Sequence, residues 1–428
     1  MFDRDRWQEI LNAIKKNKLR SILTAFGVFW AIFMLVVMTG SGNGLQNGIR
    51  DGFRDFATNS AFMWANNTTI AHEGFKRGRN WSINNKDIVQ IMDEVKGVDV
   101  VSPRLQGWNL RNGENIVRGK RSAAFNVMGD YPAYRKIDPC TMPWGRFIND
   151  EDIKLRRKVC MIGEKVYEVM FDEGEDPVGT YLRVNGVYFM VIGVAKSNNP
   201  NINIGNNKKE TVYLPFTSMQ QTFNYGDQVH FFGLTAKKGI KVSSIIDEIK
   251  PILQRNHKIS PLDEEAIANF DVEDMLKSMN YMFLGINILI WVVGIGTLVA
   301  GAVGISNIML VIVKERTKEI GIQRAIGARP RLVVSQILTE SVFLTTIAGF
   351  IGLAFGTFVL FLVDMGIDAS RAQAMADADN ETFFLNPQVG LPLALSALAM
   401  LILVGLIAGF IPAMKAIRIK PIEALRHE

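Results

Sequence analysis

Residues 312–331, IVKERTKEIGIQRAIGARPR, lie between two long apolar runs and decide how the rest of the chain is read. Lys314, Arg316, Lys318, Arg324, Arg329 and Arg331 crowd into this one connection, and such an excess of lysine and arginine marks loops on the cytoplasmic side of a membrane. Glu315, Glu319, Ile320, Ile322 and Ile326 alternate with the basic residues, and Gly321 and Gly327 punctuate them. The pattern predicts a short amphipathic helix stopped by glycine.

Working outward, apolar runs at 23–40, 281–313, 337–363 and 391–413 each supply the ~20 apolar residues that a bilayer crossing needs. The second, at about 1.5 Å per helical residue, would reach roughly 50 Å against a hydrocarbon core of about 30 Å, so it is expected to project as a stalk. Among 428 residues, 48% are hydrophobic and 21% charged, with a mean hydropathy of +0.12, a balance that places part of the chain in lipid and part in water.

The net charge of +6 invites a nucleic-acid reading, but topology accounts for it better. Arg4, Arg6, Lys15, Lys16, Lys18 and Arg20 precede the first span, and Lys415, Arg418, Lys420 and Arg426 follow the fourth. The connection between spans three and four instead carries Asp364, Asp368, Asp377, Asp379 and Glu381 against Arg371. Both termini are therefore expected in the cytoplasm and the long segment after the first span outside, with no nucleic-acid partner. The first run is too long for a signal-peptide core, and Ser41-Gly42-Asn43-Gly44 is a poor cleavage site. Ahead of it, Trp7, Ile10, Leu11 and Ile14 fall at helical spacing, as in a helix lying in the interface.

Residues 44–279 have the composition of a soluble α+β domain. Strands are expected at 158–163, 181–184, 188–194 and 211–214, with Asn185-Gly186 as a hairpin turn, and helices at 85–95, at 242–256 and from 272 into the second span. The Asn- and Gly-rich stretch 197–209 reads as a surface loop. No internal repeat is evident.

Little in the sequence points to catalysis. No GxxxxGK[ST] run occurs in these residues, so ATP hydrolysis is expected in another polypeptide. The run Gly40-Ser-Gly-Asn-Gly44 follows a membrane span and not a strand, which argues against a nucleotide fingerprint. His72, His230, His257 and His427 lack the spacing of a zinc site. Neither a nucleophile elbow nor an HExxH run is found. Cys140 and Cys160 could pair in an oxidising compartment, but Cys160 sits in an apolar strand and reads as a buried free thiol. Glu340 and Asn307 are the notable polar residues of the spans, and Glu340 either has a function or snorkels near the start of span three. Gly296, Ala300 and Gly304, Gly352 and Gly356, and Gly405 and Gly409 would permit close helix contacts, within one subunit or between two.

Residues 314–328, KERTKEIGIQRAIGA, and 412–426, PAMKAIRIKPIEALR, resemble the loop and tail of the MacB/FtsX-like family of ABC transporter permeases. Residues 159–166 with Phe171, DPVG at 176–179 and 189–194 resemble the MacB-type periplasmic core domain, so the resemblance spans nearly the whole chain.

The resemblance implies a four-helix, all-α transmembrane domain with a large α+β periplasmic domain inserted between the first and second spans. The layout expected is an interfacial helix at 1–20, spans at 21–43, 275–313 (with its stalk), 336–363 and 390–413, a periplasmic domain at 44–274, a coupling loop at 314–335, a periplasmic loop at 364–389 and a tail at 414–428. The periplasmic domain would divide into a membrane-proximal part, 44–104 with 215–271, and an inserted distal part, 105–214.

By the same resemblance, the chain would be a non-catalytic homodimeric subunit in a bacterial inner membrane. A separate cytoplasmic ABC ATPase would bind ATP and Mg, and Glu315, Arg316, Glu319, Ile320, Gly321, Arg324, Ala325 and Gly327 would form the coupling element, with Gly327 ending its helix. Motion would pass to the periplasmic domain to drive MacB-like export or extrusion, with a MacA-like adaptor and a TolC-like duct as further partners. A lipoprotein-releasing transporter and an FtsX-like regulator of cell-wall hydrolases are the alternative family functions.

Overall fold

The computed structural model describes residues 18–110, 113–198, 202–374, 384–387 and 390–418. The expected interfacial helix at Trp7, Ile10, Leu11 and Ile14, the acidic positions Asp377, Asp379 and Glu381, and the tail beyond Arg418 lie outside them. The helices are α1 (Lys18–Gly52), α2 (Asn85–Glu94), α3 (Asp150–Lys154), α4 (Glu164–Met170), α5 (Phe216–Thr222), α6 (Val242–His257), α7 (Val272–Glu315), α8 (Thr317–Ala325), α9 (Pro330–Ala374) and α10 (Leu391–Ile417). The chain forms two compact units, an α+β unit (Arg50–Asn280) and a helical unit (Met1–Ile49 with Tyr281–Glu428).

In the α+β unit the strands are β1 (Ser60–Ala65), β2 (Ile83–Asn84), β3 (Val98–Gln106), β4 (Ile116–Arg118), β5 (Arg121–Ala123), β6 (Asn126–Asp130), β7 (Cys140–Gly145), β8 (Val159–Gly163), β9 (Tyr181–Val184), β10 (Val187–Ser197), β11 (Thr211–Pro215), β12 (Gln228–Val229), β13 (Phe231–Ala236) and β14 (Ile267–Asp271). One sheet runs β14-β1-β13-β3-β6-β11-β8-β10-β9-β4-β5, with β7 paired to β10. β6 with β11 and β8 with β10 are parallel, and the other pairs of this sheet are antiparallel. The Asn185-Gly186 turn joins β9 to β10 with both residues at positive φ (46° and 87°), the geometry that asparagine and glycine tolerate in a tight hairpin.

β3 changes partner along its length. Through Arg104 it pairs with β13, and through Leu105 and Gln106 it pairs with β6. At that change Arg104 is buried and grips Asp130 at the end of β6 with both ends of its guanidinium, Nη2 to Oδ2 at 2.8 Å, while lying 3.7 Å from the Tyr134 ring centroid. Beside it Lys208 Nζ meets Asp138 Oδ2 at 2.6 Å. Two cations and two carboxylates thus neutralise one another inside the sheet, where an unpaired charge would be costly.

Helix α2 starts in a capping box. The Asn84 side chain accepts from the Lys86 and Asp87 amides at 2.9 and 3.1 Å, and Asp87 accepts in return from the Asn84 amide at 2.8 Å. Asp87 also meets His257 Nε2 at 2.7 Å and Asn256 Nδ2 at 2.9 Å, which ties α2 to the end of α6. Burial alone would raise the Asp87 pKa, but these hydrogen bonds outweigh it and hold the carboxyl below its usual range. Cys160 in β8 is buried and Cys140 in β7 half-buried, and both thiols are free. Burial pushes both up, that of Cys140 to about 11, so neither is readily ionised.

In the helical unit, α1, α7, α9 and α10 are long and apolar enough to cross a membrane, with spans at Ala25–Gly52, Val272–Glu315, Pro330–Ala369 and Ala394–Ile417. They outrun the limits expected from hydropathy. α1 continues to Gly52 beyond the boundary at 43, and α9 begins at Pro330 and continues to Ala374, beyond the boundary at 363, so the connections at either end are shorter than expected. The run Gly40 to Gly44 is helical because its glycines admit neighbours. A Cβ at Gly40 would stand 2.3 Å from Leu360 Cδ1, and one at Gly44 2.7 Å from Phe384 Cζ. The Gly44 carbonyl also accepts from the Leu385 amide at 3.0 Å.

The small-residue stripes separate into two kinds. A Cβ at Gly352 would fall 2.6 Å from the Phe29 carbonyl oxygen and one at Gly356 2.8 Å from Val36, which packs α9 on α1. Gly405 and Gly409 face Thr345 and Ser341 in the same way, packing α10 on α9. On α7, Ala300 is exposed and Gly296 and Gly304 meet nothing within 4 Å among the described residues, while Asn307 is exposed one turn further along.

Two outcomes follow from this packing. Asp130→Ala, which strands Arg104 in the sheet, should destabilise the α+β unit by about 3–5 kcal/mol, read as a lowered thermal midpoint of its unfolding step. Gly352→Val should lower the Tm of the detergent-solubilised protein through overpacking, whereas Gly296→Val should leave it within experimental error. Equal losses at both sites would overturn the distinction between the two stripes.

Candidate coupling loop

α7 runs into the loop almost without a break, since the Arg316 amide donates to the Ile312 carbonyl at 2.9 Å and the Ile320 amide to the Arg316 carbonyl at 2.9 Å. α8 then stops at Gly327. The Ala328 amide returns to the Gln323 carbonyl at 3.0 Å and the Gly327 amide to the Arg324 carbonyl at 3.2 Å, with Gly327 at φ 102°. This is a Schellman stop, which needs a residue without a Cβ penalty at positive φ. Pro330, the first residue of α9, suits a position whose amide has no helical partner.

The eight expected coupling residues divide by exposure. Ile320 and Gly321 are buried, Ile320 in an apolar cluster that includes Val313, Val333, Ile337, Ala413 and Ala416. Arg316 and Arg324 are half-buried and turned inward. Arg316 Nη1 lies 3.6 Å from Glu340 Oε2 of α9 and its Nε 3.8 Å from Glu319 Oε2, while Arg324 Nη1 donates to the Ile417 carbonyl at the end of α10. Glu315, Glu319, Ala325 and Gly327 are exposed.

Glu340 has a side-chain exposure of 3% and does not snorkel; it is the counter-charge of Arg316. The tail carbonyl held by Arg324 is one of those that a helix leaves unpaired at its C-terminus. The two arginines therefore fasten the loop to α9 and α10 of its own unit. What α8 offers outward is a face of Glu319, Ile322 and Ile326, three and four residues apart, with Ile326 82% exposed. Ile322 and Ile326 were absent from the expected coupling set. Their signal in the sequence was an isoleucine spacing that also fits a buried stripe, and only the placement of Ile320 in the core assigns the remaining pair to the surface.

Residues 21–252 match the MacB-like periplasmic core domain and residues 291–421 the FtsX-like permease C-terminal domain. The chain belongs to this MacB-like, FtsX-like family of ABC transporter permeases. Among curated proteins it is 29% identical over 96% of its length to the macrolide export ATP-binding/permease protein MacB of Bdellovibrio bacteriovorus. It is 26% identical, again over 96% of its length, to the pyoverdine export ATP-binding/permease protein PvdT of Pseudomonas entomophila. The chain spans 60% and 58% of the length of these two relatives. Among solved structures, the periplasmic region of MacB from Actinobacillus actinomycetemcomitans is similar at 16% identity and a TM-score of 0.42, covering 53% of this chain and 95% of that one.

The contact between Arg316 and Glu340 yields a direct test. Glu340→Gln should destabilise the helical unit toward the lower end of the about 3–5 kcal/mol typical of a broken buried pair, because Arg316 remains 26% exposed. Exchanging the charges, Arg316→Glu with Glu340→Arg, should recover most of the lost Tm in detergent. A double variant no more stable than the single one would remove this pair from the account of the loop.

Proposed function

We propose that the chain is a permease subunit that takes ATP-driven motion from an ABC ATPase through α8 and passes it to the α+β unit, driving export or extrusion of a substrate on the far side of the membrane. The observation that carries the reading is the outward face of Glu319, Ile322 and Ile326 on a helix whose two arginines are fastened inward. An exposed apolar centre rimmed by charge, on a stiffened element, is suited to docking another protein. Glu315 belongs to the same contact, and Lys318 adds a cation at its edge.

In this reading ATP and Mg belong to the ATPase, the termini and the basic loop face the cytoplasm, and the α+β unit faces the periplasm of an inner membrane. α7, continuous over 44 residues or about 66 Å at ~1.5 Å per residue, is the element that carries motion between the units. The open stripe of Gly296, Ala300 and Gly304 on α7 supports a homodimer, since small residues let a second helix approach closely. Export fits the relatives named for macrolide and pyoverdine export, and a MacA-like adaptor and a TolC-like duct would complete the path.

The test uses the chain reconstituted with the ABC ATPase that co-purifies from native membranes. Ile322→Asp with Glu319→Lys should insert normally and keep the parental Tm, yet lose at least tenfold in stimulation of ATP hydrolysis. Parental stimulation by that double variant would sink the docking assignment.

A further inference from the structure

The α+β unit holds a cleft of about 510 Å³ that coupling to an ATPase does not use. One wall is the edge of the sheet, where β1 pairs Trp64 with Phe231 of β13 and Phe62 with Phe270 of β14. Residues 62 and 64 point to the same face of the strand, so four aromatic rings share it. Phe62 and Phe231 are buried there, but Trp64 and Phe270 remain exposed.

Trp108, 64% exposed, also lines the cleft. It stacks on His230 with centroids 4.9 Å apart and planes 10° from parallel, and Tyr225 meets the same imidazole edge-on at 5.3 Å. The Gln106 amide donates to His230 Nδ1 at 3.0 Å, which fixes the neutral ring with its hydrogen on Nε2. Burial lowers the His230 pKa, with the same effect. The buried Gln106 carboxamide lines the cleft as well, and neither it nor His230 Nε2 finds a hydrogen-bond partner among the described residues. At the lip, a Cβ at Gly205 would come 2.4 Å from Gln106 Nε2, so glycine lets the backbone close on that amide.

Among the described residues no Asp, Glu, Lys or Arg lines this cleft. Its volume lies in the range of small-molecule pockets, which are mostly apolar with a few polar groups that fix orientation. We propose that the cleft binds an uncharged, planar aromatic compound carrying a hydrogen-bond acceptor, stacked between Trp108 and the Trp64–Phe270 edge, with His230 Nε2 and the Gln106 carboxamide as its polar contacts. The site is complete within the α+β unit and does not depend on the docking face of α8.

The test uses the full chain in lipid nanodiscs, labelled with 5-fluorotryptophan, with the ¹⁹F resonances of Trp64 and Trp108 assigned through Trp64→Phe and Trp108→Phe. Acridone, neutral and planar with a carbonyl acceptor, is the probe, and its carboxylated analogue is the charge control. Titration with acridone should shift the Trp64 and Trp108 resonances saturably and leave Trp81 and Trp144 in place. His230→Phe, which keeps the ring but removes the Nε2 donor, should weaken binding about tenfold, as should the carboxylate on the analogue. Trp108→Ala, at an exposed position, should abolish the shift at Trp64.

Non-saturable shifts, equal affinity for the charged analogue, or shifts unaffected by Trp108→Ala would overturn the proposal. Resonances that move with protein concentration and not with acridone would assign the cleft to a second copy of the chain, also against it. ATP hydrolysis is not read in this experiment, so its failure would leave the coupling assignment standing.

Discussion

The contact between Arg316 and Glu340 is the constraint on which the loop depends. A carboxylate buried among apolar helices demands a cation, and the nearest comes from the residue that joins α7 to α8. Satisfying it draws the start of α8 against α9, and Arg324 does the same for the end of α10. With Ile320 in the core between these two anchors, the rotation of the short helix is fixed, and that rotation turns Glu319, Ile322 and Ile326 outward. A basic loop held only by its ends would present no defined face. Two inward-facing arginines convert it into a rigid surface, since each ordered contact lowers the entropy to be lost when a partner docks.

The α+β unit meets a related problem with a different solution. A single strand, β3, belongs to both halves of the long sheet, and the change of partner between Arg104 and Leu105 leaves polar groups in a place where water is excluded. Arg104 with Asp130 and Lys208 with Asp138 neutralise it locally. The aromatic cleft lined by Gln106 opens two residues along β3 from Arg104.

Between its long helices the helical unit depends on glycine at close approach. α9 packs on α1 through Gly352 and Gly356, and α10 on α9 through Gly405 and Gly409. In lipid, where apolar burial gives little net drive between helices, such approaches gain van der Waals contact that a side chain would prevent. On α7, Gly294 and Gly301 face Leu35 and Val28 of α1, while Gly296 and Gly304 meet no neighbour among the described residues, so composition alone could not divide the stripes by use.

Much of this was legible in the sequence, and the reason differs from element to element. Hydropathy gave four spans because a helix crossing lipid satisfies its own backbone and needs about 20 apolar side chains in a row, Asn185-Gly186 gave its hairpin because few residues tolerate positive φ, and Gly327 gave the helix stop for the same reason. The lengths of α1 and α9 were underestimated because a helix can continue past its apolar stretch when neighbours cover it, as Leu360 and Phe384 do at Gly40 and Gly44. The coupling residues were chosen by resemblance, which could not say that Arg316 and Arg324 turn inward or that Ile322 and Ile326 turn out. The sequence by itself determined a four-span chain with a large α+β insertion, since spans, turns and helix stops are local properties of the chain, and its motifs carried the resemblance to the family. Only the tertiary structure decided which charges are partners and which faces are free, because Arg316 with Glu340, Arg104 with Asp130 and Trp64 with Trp108 are brought together by packing between distant segments and have no fixed spacing along the chain.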